Sequence, residues 1–177
     1  MKEKIQLFIV LVVFLAVLSP FFSCGSSSKQ QNTDNEEWSY VQGGTTFKVT
    51  KEQYDSTKED VQHFIEKLNQ TIRKKDYKAW KAALSTEYFN KISSPENLQQ
   101  VSELPAMKTR RITLKTAEDY FINVVVPSRA NSRVDDIEFI GENRVKAFTV
   151  TTNKAGEEQR LRLYDLEKTG NMWKIID

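Results

Sequence analysis

The spacing of apolar positions changes several times along this chain, and each change marks a boundary. Residues 5–18 are almost unbroken apolar sequence, whereas residues 25–37 (GSSSKQQNTDNEE) hold no large apolar side chain. Val61, Phe64, Ile65, Leu68 and Ile72 then recur at helical spacing, forming one stripe. From Arg133 onward the period drops to two, as in half-buried strands.

The first short segment, 38–50, pairs aromatic and β-branched residues around Gly43-Gly44 and reads as a hairpin or an extended arm. Ser56-Thr57-Lys58-Glu59-Asp60 has the form of a capping box and predicts the start of the striped helix. The stripe slips at Arg73-Lys74-Lys75-Asp76, and Tyr77, Trp80 and Leu84 resume it on a shorter helix capped by Asp76. Ser94-Pro95 predicts a further start, for a helix carrying Leu98, Val101 and Leu104 that Pro105 should close. Thr116 to Asp119 begins another, with Phe121, Val124 and Val125 facing inward and Pro127 as its stop. Four strands follow, around 137–139, 145–152, 159–167 and 172–176, with turns at Gly141-Glu142-Asn143, 153–156 and Thr169-Gly170-Asn171. The expected fold class is α+β, with N-terminal helices packed on a curved antiparallel sheet formed mainly by a C-terminal β-meander.

The N-terminus carries an address. Two lysines within residues 1–4 precede the apolar run, and Ser19-Pro20 ends its helical potential. Phe21-Phe22-Ser23-Cys24-Gly25 follows, and Cys24 is the only cysteine of the chain. This arrangement resembles a bacterial lipoprotein signal, in which the cysteine sulfur is acylated and cleavage leaves that cysteine as the first residue. Ser23 fits the pattern, while Phe21 and Phe22 stand where Leu and a small residue are usual. The competing reading is an uncleaved anchor, since residues 5–22 are just long enough to cross a bilayer core. Either way the remainder is expected outside the cytoplasm, in the bacterial cell envelope. The organisation is then a signal peptide over 1–23, a polar tether over 24–37 bearing acylated Cys24, and a single domain over 38–177. A polar segment of the tether's length reaches roughly 20 Å.

Composition narrows the chemistry. The 177 residues are 39% hydrophobic and 11% aromatic, enough apolar surface to order a domain. One cysteine excludes an intrachain disulfide framework, and one histidine excludes the common zinc-hydrolase constellations. Basic and acidic side chains nearly balance, 26 against 24, so nucleic acid is not an expected partner. No nucleophile elbow, phosphate loop or metal-spaced acid cluster occurs, and no cofactor, metal or catalytic residue is assigned.

The order of elements resembles the nuclear transport factor 2-like superfamily, the cone-shaped fold of ketosteroid isomerase and the polyketide cyclases. The likeness rests on the helix 61–72, on Lys74-Lys75-Asp76-Tyr77-Lys78-Ala79-Trp80, on Leu84-Ser85-Thr86-Glu87-Tyr88-Phe89, and on the strands Leu161-Arg162-Leu163-Tyr164 and Met172-Trp173-Lys174-Ile175-Ile176. It implies a pocket between helices and sheet, in which catalytic members set an acid and a tyrosine or a His–Asp pair. A buried carboxylic acid can serve there as a hydrogen-bond donor, ketosteroid isomerase being the standard case. Here His63 falls between stripe positions and is expected to face out. Asp119 suits a helix cap, and Asp135 and Asp136 suit a solvated strand start.

The candidate pocket residues are therefore aromatic: Tyr77, Trp80, Tyr88, Tyr120, Tyr164 and Trp173, with Phe89, Phe121 and Phe148 beside them. Each is otherwise simply core. Trp80 and Trp173 are expected to approach each other across the helix–sheet interface, and Arg160 and Arg162 to lie on the solvent face of their strand. Two principal functions follow. One is a non-enzymatic module, anchored to the membrane through the Cys24 lipid, that binds a small apolar ligand or an envelope protein. The alternative is an isomerase, dehydratase or cyclase using a pocket acid and tyrosine. A scaffold within an envelope complex is a third reading; it would require a filled cone and an exposed apolar patch on the sheet.

Overall fold

The computed structural model describes residues 30–32 and 37–177. The apolar run and Cys24 lie outside the described residues. Among those described, no helix is long and apolar enough to cross a membrane.

The N-terminal segment is a hairpin, β2 (Glu37–Gln42) and β3 (Thr45–Thr50), closed by Gly43 and Gly44 with φ of 55° and 84°. A two-residue turn with positive φ at both positions matches the strand twist and favours glycine. A short strand β1 (Gln30–Asn32) pairs antiparallel with β2, Gln30 opposite Ser39. It falls in the segment read as a tether. A polar strand can join an edge through backbone hydrogen bonds alone, so apolar patterning gives no sign of it.

Helix α1 spans Lys51–Arg73 and starts earlier than Ser56. The effective box is Thr50 with Gln53: Gln53 N donates to Thr50 Oγ1 at 3.2 Å, and Thr50 N donates to Gln53 Oε1 at 2.9 Å. The extra turns carry Tyr54, which is buried and donates a hydrogen bond to Asp136, so the start of α1 is tied to the sheet. Helix α2 (Tyr77–Ala82) is capped by Asp76, α3 (Thr86–Ser93) by Ser85, and α4 (Pro95–Ser102) by Ser94 with Pro95 in the first turn.

Two prolines behave differently from expectation. Helix α4 ends at Ser102, and Pro105 opens α5 (Pro105–Arg110), where its missing N–H leaves no gap. Leu104 thus becomes a cap residue, 51% exposed, rather than part of a buried stripe. Pro127 does not stop its helix either. After α6 (Ala117–Tyr120), capped by Thr116 and Asp119, the chain widens into a π-helical turn over Phe121–Val125 and continues as α7 (Val126–Arg129). The Asn123 carbonyl, which a residue at 127 would ordinarily cap from four positions on, accepts instead from Arg110 Nη1 at 3.3 Å.

The C-terminal meander forms as the alternation predicts: β4 (Asp136–Gly141), β5 (Arg144–Thr152), β6 (Glu158–Thr169) and β7 (Met172–Ile175), antiparallel and in sequential order. One irregularity matters for the site. Ala147 faces Tyr164 but Phe148 faces Arg162, so Leu163 is an extra residue that bends β6. The outer edge of β7 is closed by the α2–α3 connection, with Ser85 N donating to Ile175 O at 2.8 Å and Ile175 N to Ala83 O at 2.9 Å. This pairing sets α3 beside the end of the sheet.

The core joins the α1 stripe (Val61, Ile65, Leu68, Ile72) to Val145, Ala147, Leu166 and Ile175 of the sheet. Trp80 and Trp173 are both buried, but their partners differ. Trp80 stacks on Phe121 at 4.7 Å and tilts against Tyr77, whereas Trp173 lies under Lys168 and borders a groove with Phe64, Ala79 and Ala83.

Candidate functional site

Several surface concavities are present, and chemistry separates them. Grooves of about 690 Å³ along α1 and residues 131–134, and of about 700 Å³ beside β3 and the start of α1, are lined mostly by charged, amide and hydroxyl side chains. A smaller cavity of about 340 Å³ opens between α2–α3, α6–α7 and the ends of β6 and β7. Its walls are Trp80, Leu84, Val124, Val125 and Ile175, together with Tyr88, Tyr120 and Tyr164, and its polar margin holds Ser128, Arg129, Arg162 and Asp177. Its exposed lining is polar and apolar in about equal parts, aromatic and aliphatic walls meeting convergent polar tips, a combination that suits a small molecule with both a polar and an apolar end.

Each wall has a local cause. The Ser85 cap and the Ala83–Ser85 pairing with β7 aim Tyr88 at the hollow. The π-helical turn that accommodates Pro127 lies between Tyr120 and Arg129, so both reach the same opening. The bulge at Leu163 breaks the alternation of β6, and Arg162, Leu163 and Tyr164 all border the cavity although a regular strand would send neighbours to opposite faces.

The three phenols are proton donors at neutral pH. Burial pushes Tyr88 up to about 12, helped by Tyr120, Asp177 and Tyr164 and opposed by Arg129. Burial also raises Tyr120, with Arg129 and Lys91 opposing, and Tyr164, with Arg129 and Ser132 opposing. The Tyr164 hydroxyl is buried; the Ser132 hydroxyl lies near enough to lower its pKa but donates to Arg129 O, and no well-formed hydrogen bond closes on the phenol among the described residues. The Arg129 guanidinium stands 5.3 Å from the Tyr164 ring centroid.

The carboxylates near the cavity are committed. Asp177 accepts from Lys91 Nζ and Arg162 Nη2, each at 2.5 Å, and the Lys91 hydrogen bond is the main cause holding it below the ordinary carboxylate range. Asp165 meets Arg162 Nε at 2.6 Å, an ion pair whose angles close no hydrogen bond; burial nevertheless raises its pKa against the pull of Arg162. An acid already paired with two cations is a poor proton donor to a substrate oxyanion.

Of the aromatic candidates, Trp80, Tyr88, Tyr120 and Tyr164 line this cavity. Tyr77 sits behind it, tilted against Trp80 and Phe121. Trp173 borders the separate groove on α2, Phe121 is wholly buried, Phe89 lies under Lys81 and Phe148 under Arg160. His63 is exposed, as its position between stripe residues requires. Asp119 caps α6 by accepting from the Lys115 and Thr116 amides, Asp135 accepts from Val150 N and pairs with Arg133, and Asp136 accepts from Tyr54 and pairs with Arg160. Among the described residues no group of His, Cys, Asp and Glu is placed to hold a metal ion.

Sequence reasoning missed Arg129, Arg162 and Asp177. Arg162 carries the alternating signature of a solvent face, and only the bulge turns it toward the cavity. Arg129 sits in the last turn of a helix, where a cation ordinarily answers the helix dipole.

No protein-family model and no solved structure matches the chain. It is 37% identical over 131 residues to an uncharacterised lipoprotein of Treponema pallidum (strain Nichols), an alignment covering 74% of this chain and 66% of that relative. The chain thus spans just under two thirds of the length of the relative it matches. This likeness supports a bacterial envelope lipoprotein.

Proposed function

We propose that this chain is a bacterial envelope lipoprotein held at a membrane by acyl groups on Cys24, and that residues 38–177 form a non-enzymatic binding module. Its ligand is a small, largely apolar molecule seated in the cavity walled by Trp80, Tyr88, Tyr120 and Tyr164. The observation that carries this reading is the chemistry of that hollow: apolar and aromatic walls with three protonated phenols at their edge. Helices followed by an antiparallel meander, with a hollow between them, fit the nuclear transport factor 2-like cone. The lipoprotein name of the relative supports the anchor.

The enzyme reading requires a free acid in the cavity, and Asp177 is bound by two cations instead. The test is mass analysis of organic extracts from native protein purified from its membrane. Acyl chains on Cys24 and a co-purifying compound lost from a Tyr88→Ala, Tyr120→Ala double variant are the expected result. An unmodified Cys24 would overturn the anchor, and an extract identical for both proteins would overturn the pocket.

A further inference from the structure

The polar groups around the cavity are unequal in number and kind. Tyr88, Tyr120 and Tyr164 offer hydroxyl donors, and none of the three closes a hydrogen bond to protein among the described residues. Arg129 is half-buried, has no carboxylate partner among them, and stands over the face of Tyr164. The other cation at this margin, Arg162, is paired with Asp165 and Asp177, and Lys91 outside it is paired with Asp177. Both acids lie in those same pairs, and neither forms an ion pair with Arg129. One positive charge and three phenolic donors therefore converge on a hollow whose inner walls are Trp80, Leu84, Val124, Val125 and Ile175.

Such a set complements a negative head on an apolar body. A partly desolvated guanidinium gains most from a planar, charge-assisted pair with two acceptor oxygens, and neutral phenols bind an oxyanion without a like-charge penalty. A cationic ligand would meet Arg129 head-on, and a purely apolar one would leave the donors unsatisfied. We infer that the cavity recognises an organic carboxylate, its head on the Arg129 guanidinium and the tyrosine hydroxyls and its apolar body against Trp80, Val124 and Val125. This rests on the reading of the cavity as a ligand site and specifies the class of molecule it takes.

The test compares two water-soluble probes of one shape, 4-phenylbutyrate and its neutral amide, 4-phenylbutyramide. Each is titrated calorimetrically into the full chain held in phosphatidylcholine nanodiscs, with empty nanodiscs subtracted. The acid should bind about ten-fold more tightly than the amide, the size of one charge-assisted hydrogen bond. Arg129→Met should bring the acid down to the affinity of the amide while leaving the amide unchanged, and Arg129→Lys should restore part of the preference. Melting curves of both variants matching wild type establish that the fold is intact. Equal binding of the two probes to wild type overturns the carboxylate inference and leaves the pocket standing. A preference for the acid that survives Arg129→Met overturns the role of Arg129 as anchor. Failure of both probes to bind, at concentrations into the millimolar range, overturns the pocket itself and the inference with it.

Discussion

Replacing Tyr164 by phenylalanine should stabilise the protein, an unusual direction for a change at a buried position. Tyr164 is 7% exposed, and the polar group near its hydroxyl, the Ser132 side chain, already donates to Arg129 O at 3.2 Å and closes no well-formed hydrogen bond to the phenol. Leaving a buried hydroxyl unpaired costs about 1–3 kcal/mol. Phenylalanine removes that cost and keeps the ring, so no cavity opens behind it. The Arg129 contact over the ring persists, since Phe also attracts a cation by its face, though somewhat less strongly. The expected net gain is about 1 kcal/mol. With a urea dependence of about 2 kcal/mol per molar, the unfolding midpoint should rise by about 0.5 M. Tryptophan fluorescence reads the transition, and an unchanged slope would confirm that stability alone has moved. If the hydroxyl serves a ligand, the same substitution should weaken binding of 4-phenylbutyrate while the empty protein becomes more stable. A variant at least 1 kcal/mol less stable than wild type would mean that Tyr164 has a partner, and the account of this wall would fall.

Trp80→Ala should cost about 3–5 kcal/mol, because the side chain is 3% exposed and stacked on Phe121 at 4.7 Å; a loss under 1 kcal/mol in thermal melting would refute its place in the core. Cys24→Ala should leave an uncleaved precursor that takes up no fatty-acid probe, and normal labelling would refute the anchor. Asp177 has a folded pKa held below its unfolded value by Lys91 and Arg162, so its contribution is present above about pH 4 and lost as pH falls through the lower, folded value. Asp177→Asn should therefore lower stability at pH 7 and flatten the loss of stability on acidification toward pH 3; parallel melting curves at both pH values would contradict the pairing.

The helical stripe of α1, the caps at Asp76, Ser94 and Thr116, and the four-strand meander follow from the sequence because each rests on neighbours within a few positions. Periodicity and capping are local, and apolar alternation carries its own phase. Where the α1 helix truly begins was also written locally, in Thr50 and Gln53, but a residue that ends a strand is easily passed over as a cap. The prolines show the limit of local rules: Pro105 opens a helix, and Pro127 rides within one, just after the widened π-helical turn, where the Asn123 carbonyl accepts from Arg110. Tertiary structure alone decided the site. The pairing of Ala83 and Ser85 with Ile175 chose which aromatics share a hollow and which, like Trp173, face another groove. The bulge at Leu163 reversed the phase of β6 and brought Arg162 round to the cavity margin. Whether a cation is free or neutralised depends on acids that arrive from other elements, as Asp177 does for Lys91 and Arg162 and as none does for Arg129 among the described residues. That pairing depends on distance in space, which the order of residues along the chain does not encode.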